Sequence, residues 1–110
     1  MSQSESTYFK DFLPNEISIL CSLYGDGDYY LPHKDATLAT GCLWLYKEPK
    51  KWEGGKFRFV DYDLEFECKH NTMVVFPGAF QHEVTELTMD NDDFADNYGR
   101  YCISYFMNHR

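Results

Sequence analysis

Tyr24-Gly25-Asp26-Gly27-Asp28-Tyr29-Tyr30-Leu31-Pro32-His33-Lys34-Asp35 is the stretch that decides how the chain is read. Gly25-Asp26-Gly27-Asp28 signals a turn. The residues after it are extended, and Pro32 suits a strand end or edge. Side chains at alternate positions of an extended chain share a face, because the pleat repeats every two residues. His33 and Asp35 therefore present an imidazole and a carboxylate to a common point. A histidine from a neighbouring strand would complete a 2-His-1-carboxylate facial triad, a donor set that suits Fe(II) and leaves coordination positions open. His82, in Phe80-Gln81-His82-Glu83-Val84 just after Phe76-Pro77-Gly78, is the best third ligand. His70 sits in a polar turn and His109 beside the C-terminus, which makes both poor candidates.

The flanking sequence reads as short strands. Ile17–Tyr24 alternates Ile17, Ile19, Cys21 and Leu23 on one face with Ser18, Leu20, Ser22 and Tyr24 on the other. Further strands are expected at 29–35, 42–47, 56–60, 64–68, 72–76, 80–87 and 100–107. Turn signals separate them at 48–51, Gly54-Gly55, 61–63 and 69–71. Met89–Tyr98 reads as an acidic, irregular loop. Ahead of the strands, residues 1–7 are polar, and Tyr8–Leu13 has the spacing of a helical turn that Pro14 would stop. About eight short strands at near-regular intervals predict a sandwich or a barrel, between which periodicity does not choose.

A lone His-x-Asp is weak evidence, but it stands here among other pieces in a definite order. Tyr24 and Gly27 precede it. Trp52-Glu53-Gly54-Gly55-Lys56-Phe57, Val75-Phe76-Pro77, His82-Glu83-Val84 and Gly99-Arg100-Tyr101 follow it. In these pieces, over roughly residues 17–108, the chain resembles the prolyl-4-hydroxylase-like branch of the Fe(II)/2-oxoglutarate oxygenases. The resemblance implies an all-β, double-stranded β-helix (jelly-roll) barrel, expected as a single domain over 1–110. It implies Fe(II) held by His33, Asp35 and His82, with 2-oxoglutarate and O2 as co-substrates and ascorbate as an accessory reductant. Arg100 would anchor the distal carboxylate of 2-oxoglutarate, since a guanidinium presents a planar fork that matches a carboxylate bidentately. The family places this anchor closer to its second histidine, so Met89–Tyr98 reads as an insertion. Tyr24 would donate a second hydrogen bond to that carboxylate. Trp44 stands where relatives often carry a tyrosine, either packing on the co-substrate or filling the core.

The implied reaction is hydroxylation of a prolyl residue in a peptide or protein tail. A free amino acid or other small molecule is the alternative substrate. A non-catalytic 2-oxoglutarate- or peptide-binding module and a zinc or other metal cupin are alternatives of other classes. The covers available to the site are Tyr24–Tyr30 and Met89–Tyr98, and their acids favour cationic flanks on the substrate.

Composition narrows the field further. The chain has 110 residues, 18 acids against 10 Lys and Arg, and a formal charge of −8. An acidic surface repels phosphate backbones, so nucleic acid is not an expected partner. Tyr and Phe are abundant, which favours strands. Asp90, Asp92, Asp93 and Asp96 lack the regular ligand spacing of an EF-hand loop and read as a solvated segment. Cys21, Cys42, Cys68 and Cys102 form no C-x-x-C pair, and each is expected to be buried in a strand. With no leader-like segment and no apolar run long enough to span a bilayer, the sequence predicts a cytoplasmic protein with free thiols and no membrane partner.

Overall fold

The computed structural model describes residues 16–109; the expected helical turn at Tyr8–Leu13 and the polar stretch 1–7 lie outside them. The strands are β1 (Glu16–Tyr24), β2 (Tyr30–His33), β3 (Ala39–Tyr46), β4 (Trp52–Gly54), β5 (Phe57–Phe59), β6 (Leu64–Phe66), β7 (Thr72–Pro77), β8 (His82–Val84), β9 (Leu87–Met89) and β10 (Arg100–Asn108). Among the described residues, a single turn of 3-10 helix covers Val60–Tyr62 and a short helix, α1, spans Asn91–Ala95. No helix among the described residues is long and apolar enough to cross a membrane.

The strands form two four-stranded sheets, ordered β1-β10-β3-β7 and β2-β8-β5-β6, and a two-stranded ribbon, β4-β9. All pairings are antiparallel. This is the expected jelly roll, built as two sheets rather than one closed barrel. The core lies between the sheets. Phe57 and Phe59 flank the outward Arg58 on β5, as the two-residue repeat requires. Phe57 meets Trp44 of the first sheet at a ring separation of 5.8 Å and Phe76 at 5.4 Å. Phe59 packs on Phe76 at 5.2 Å. On the outer side, Arg58 bridges Glu83 at 3.0 Å and Asp63 at 2.8 Å.

The first sheet turns its more apolar face outward. Ile17, Ile19, Met73 and Val75 are each about half exposed. Cross-strand register aligns Ile19 with Tyr105, Gly41 and Val75 in one row. The inner face carries Ser22, Tyr24, Thr40, Cys42, Arg100, Cys102 and Ser104, which line a cavity. The expectation that all four cysteines are buried fails at Cys21, which shares the outward face of β1 with Ile17 and Ile19. All four thiols are free.

Two expected elements differ. The strand expected at 80–87 is divided into β8 and β9. Its register is nonetheless continuous, running from Phe57↔Val84 to Gly54↔Leu87. Gly54 and Gly55 adopt left-handed φ of 71° and 56°, which interrupts the ladder between them. The segment read as an irregular loop at 89–98 contains α1, whose first turn is capped by the Asp90 carboxylate accepting from the Asp92 amide.

Phe57 joins both sheets, so Phe57→Ala should cost about 3–5 kcal/mol. A urea-unfolding midpoint that hardly moves would show that the sheets are held together elsewhere.

Candidate active site

β2 and β8 are antiparallel neighbours whose register sets His33 directly opposite His82. The imidazole centroids are 4.1 Å apart. Each ring is oriented from behind by its own chain. His33 Nδ1 donates to the Leu31 carbonyl at 2.9 Å, and His82 Nδ1 to the Phe80 carbonyl at 2.7 Å. A carbonyl only accepts, so each Nδ1 carries a proton, and Nε2 is the atom that each ring, when neutral, has left for ligation. Asp35, in the loop after β2, meets both of them. Its Oδ1 lies 3.4 Å from His33 Nε2 and its Oδ2 3.4 Å from His82 Nε2. Among the described residues this is the only group of at least three His, Cys, Asp or Glu residues whose ligand atoms all lie within 4.8 Å of one another. Two imidazole nitrogens and one carboxylate brought to one point fit a divalent transition metal.

His82 is 4% exposed, stacked on Phe57 and edge-on to Phe76. Burial pushes its imidazole below the ordinary value, so it is neutral at pH 7, the form that ligates. The Asp35 carboxylate accepts a hydrogen bond from Thr40 Oγ1 at 2.8 Å, and the Asp35 amide donates to the Gly78 carbonyl at 2.8 Å. Neither Thr40 nor Gly78 stood out as a site residue in the sequence. The only signal was the packing demand hidden in Pro77-Gly78. A Cβ on Gly78 would sit 2.1 Å from Thr37 Oγ1 and 2.5 Å from the Thr37 carbonyl.

Arg100 opens β10 between Tyr24 of β1 and Tyr46 of β3. It is fully buried. One Nη1 proton goes to the Gly55 carbonyl, while Nε and Nη2 have no partner. Buried unmet donors on a cation are costly, so this arrangement calls for an anionic acceptor. The guanidinium lies 4.7 Å over the Tyr24 ring. Burial pushes the Tyr24 phenol up to about 12, against a downward pull from Arg100, so its proton remains available to donate. Arg100, Tyr24 and the three converging side chains line one cavity, as does buried Trp44. Cys42 and Cys102 line it too; their mutual influence raises Cys42 and, with Ser104 and Arg100, brings Cys102 down to about 7.

The chain matches the family model of the 2OG-Fe(II) oxygenase superfamily over residues 19–108. It belongs to that family. The oxygenase fold also recurs in solved structures. A Pseudomonas putida prolyl-4-hydroxylase aligns at 22% identity and a TM-score of 0.67, over 88% of this chain and 54% of that one. A 2OG-Fe(II) oxygenase family oxidoreductase from Burkholderia pseudomallei aligns at 18% identity and 0.68, over 99% and 52%. An RmlC-like cupin from Desulfovibrio desulfuricans aligns at 16% and 0.53, over 82% and 71%. At these identities the likeness is one of fold. The chain spans about half the length of the two oxygenases. No curated protein matches it.

The chain's two expected covers are tied together. Met89 N donates to Asp26 Oδ1 at 3.0 Å, and Leu87 N to the Asp28 carbonyl at 2.9 Å. Phe94 of α1 fills the space beside Gly25 and Gly99. Lys51 pairs with Asp93, and both Lys47 and Lys51 lie over the Tyr98 ring.

Two measurements follow from the site. His82 is harder to protonate folded than unfolded, so it favours the folded state above its unfolded value near about 6.5 and progressively less as pH falls below it. Metal-free wild type should lose more stability than His82→Asn between about pH 7.5 and 5.5. Equal losses in urea melts would refute this. Gly78→Ala should destabilise by about 1–3 kcal/mol through overpacking against Thr37, and a melt unchanged from wild type would show that the turn yields freely.

Proposed function

We propose that the protein is an Fe(II)/2-oxoglutarate-dependent dioxygenase that hydroxylates a prolyl residue in a peptide or protein. The observation that carries the reading is one cavity holding both parts of the machinery. At one site, His33 Nε2, His82 Nε2 and the Asp35 carboxylate converge. At another, buried Arg100 offers two unpartnered N–H groups.

His33, Asp35 and His82 hold the metal. When bound, Fe(II) with 2-oxoglutarate and O2 supplies oxidative decarboxylation to succinate and CO2 together with insertion of one oxygen atom into a C–H bond. Arg100 holds the distal carboxylate of the co-substrate through Nε and Nη2, while Gly55 fixes the remaining edge of its fork. Tyr24 supports the guanidinium from beneath and offers its hydroxyl to the same carboxylate. Trp44, with Phe57, walls the cavity and keeps water from the bound co-substrate. No side chain of the chain acts as a general acid or base, because the cofactor carries the hard chemistry.

The substrate reading is supported by the likeness to a prolyl-4-hydroxylase and by the chain's own exposed aromatics. Tyr30 packs against His33 with the rings tilted and their centroids 4.1 Å apart, lines the cavity and is about half exposed, which gives a proline ring an apolar surface beside the metal site. The acids of the tied segments, Asp26, Asp28 and Asp90 among them, favour Lys or Arg flanking the proline.

Asp35→Ala should abolish coupled hydroxylation, read as succinate release and a mass gain of one oxygen. Near wild-type turnover under saturating iron would refute the ligand assignment. Arg100→Ala should raise the 2-oxoglutarate requirement about 100-fold or more, given the roughly 3–5 kcal/mol at stake when a buried ion pair is broken. An unchanged requirement would place the anchor elsewhere. Among substrates, proline peptides with basic flanks should outcompete free L-proline and acidic-flanked peptides, with the flank effect shrinking at high salt. Efficient use of free L-proline would move the assignment to a small-molecule hydroxylase.

A further inference from the structure

We propose that Thr40, itself held by Thr37, is the positioning residue that fixes the Asp35 carboxylate for the metal. This rests on His33, Asp35 and His82 being the ligands. Of the three, Asp35 alone lies outside a strand, so backbone pairing does not orient it. Both histidines have strand register and a carbonyl behind them. Asp35 has a hydroxyl chain instead.

Thr40 is the second residue of β3, 1% exposed, flanked across the sheet by Phe106 and Phe76. Its Oγ1 is 2.8 Å from Asp35 Oδ2 and 2.8 Å from Thr37 Oγ1. A threonine hydroxyl has one proton and two lone pairs, and a ligating carboxylate has no proton. The Thr40 proton must therefore go to Asp35, and the contact with Thr37 must use the Thr37 proton. The chain thus runs one way, Thr37 to Thr40 to Asp35, each bond polarising the next.

Two consequences follow for the carboxylate. The side chain is held at its tip by Thr40 and at its backbone by the Gly78 carbonyl, so its rotation is fixed at both ends. One lone pair of Oδ2 is also committed to Thr40, so the carboxylate would meet a metal in one fixed orientation. Gly78 supports the same device, because its bare α-carbon is the only shape that lets the Thr37 turn approach.

Mn(II) titration of the purified full chain, read from the EPR signal of the free ion, tests this without turnover. Thr40→Val keeps the shape and removes the proton. It should weaken Mn(II) binding about tenfold or more, while the thermal midpoint of the metal-free protein stays close to wild type. Thr40→Ser should recover most of the affinity. Thr37→Val, which leaves the Thr40 proton in place, should give a smaller loss, and it carries the test should Thr40→Val not fold. If both valine variants bind Mn(II) like wild type while Asp35→Ala does not, the positioning role is wrong and the triad stands. If Asp35→Ala also binds like wild type, the triad itself fails, and this proposal with it. A Thr40→Ser loss equal to that of Thr40→Val would assign the effect to packing of the methyl group and overturn the proposal.

Discussion

The antiparallel pairing of β2 with β8 is the constraint on which the site depends. It sets His33 opposite His82 and brings two imidazoles, separated by nearly half the chain, to a centroid distance of 4.1 Å. β8 is only three residues long, and its other neighbour is β5. Phe57 and Phe59 of β5 then fasten this sheet to Trp44 and Phe76 of the other. The convergence of the two imidazoles is thus a by-product of an aromatic core. A core that holds rings in fixed rotamers also holds the His82 imidazole in place behind its Nε2.

The first sheet is unusual in which face it buries. Its inner face carries hydroxyls, thiols and a guanidinium, while isoleucines point outward. Burying Arg100 with two unmet donors opposes folding. Such a cost is the mark of a binding cavity, where preorganised donors wait for an anion and need no rearrangement when it arrives. Tyr24 beneath the guanidinium and Gly55 at its edge keep the fork aimed.

The acidic segments around Asp26 and Asp90 belong to this architecture more than the chain's composition suggests. Asp26 accepts from the Met89 amide, and Gly27 and Asp28 exchange backbone hydrogen bonds with Leu87. The segment between His82 and Arg100 therefore packs back on the chain next to Arg100, with Phe94 of its helix set beside Gly25 and Gly99.

The grouping of His33, Asp35 and His82 was legible in the sequence because it is local chemistry. His33-x-Asp35 shares a face by the pleat alone, His82 is the one other histidine in an apolar strand context, and Gly99-Arg100 opens a strand whose inner face could be counted by twos. Turns at Asp63 and Asn71 were legible too, since these residue types tolerate the left-handed backbone seen there, with φ of 48° and 57°. What the tertiary structure decided was everything that depends on distant partners. Alternation in β1 separates Ile17, Ile19 and Cys21 from Ser22 and Tyr24 but does not say which set faces inward, because burial is set by the sheet opposite. Cys21 is exposed for that reason. The short helix at 91–95 was hidden because acids read as solvated loop until Asp90 is seen capping it. Thr40 was hidden most completely: its role exists only where β3 returns past the loop after β2, a contact that no spacing in the sequence encodes.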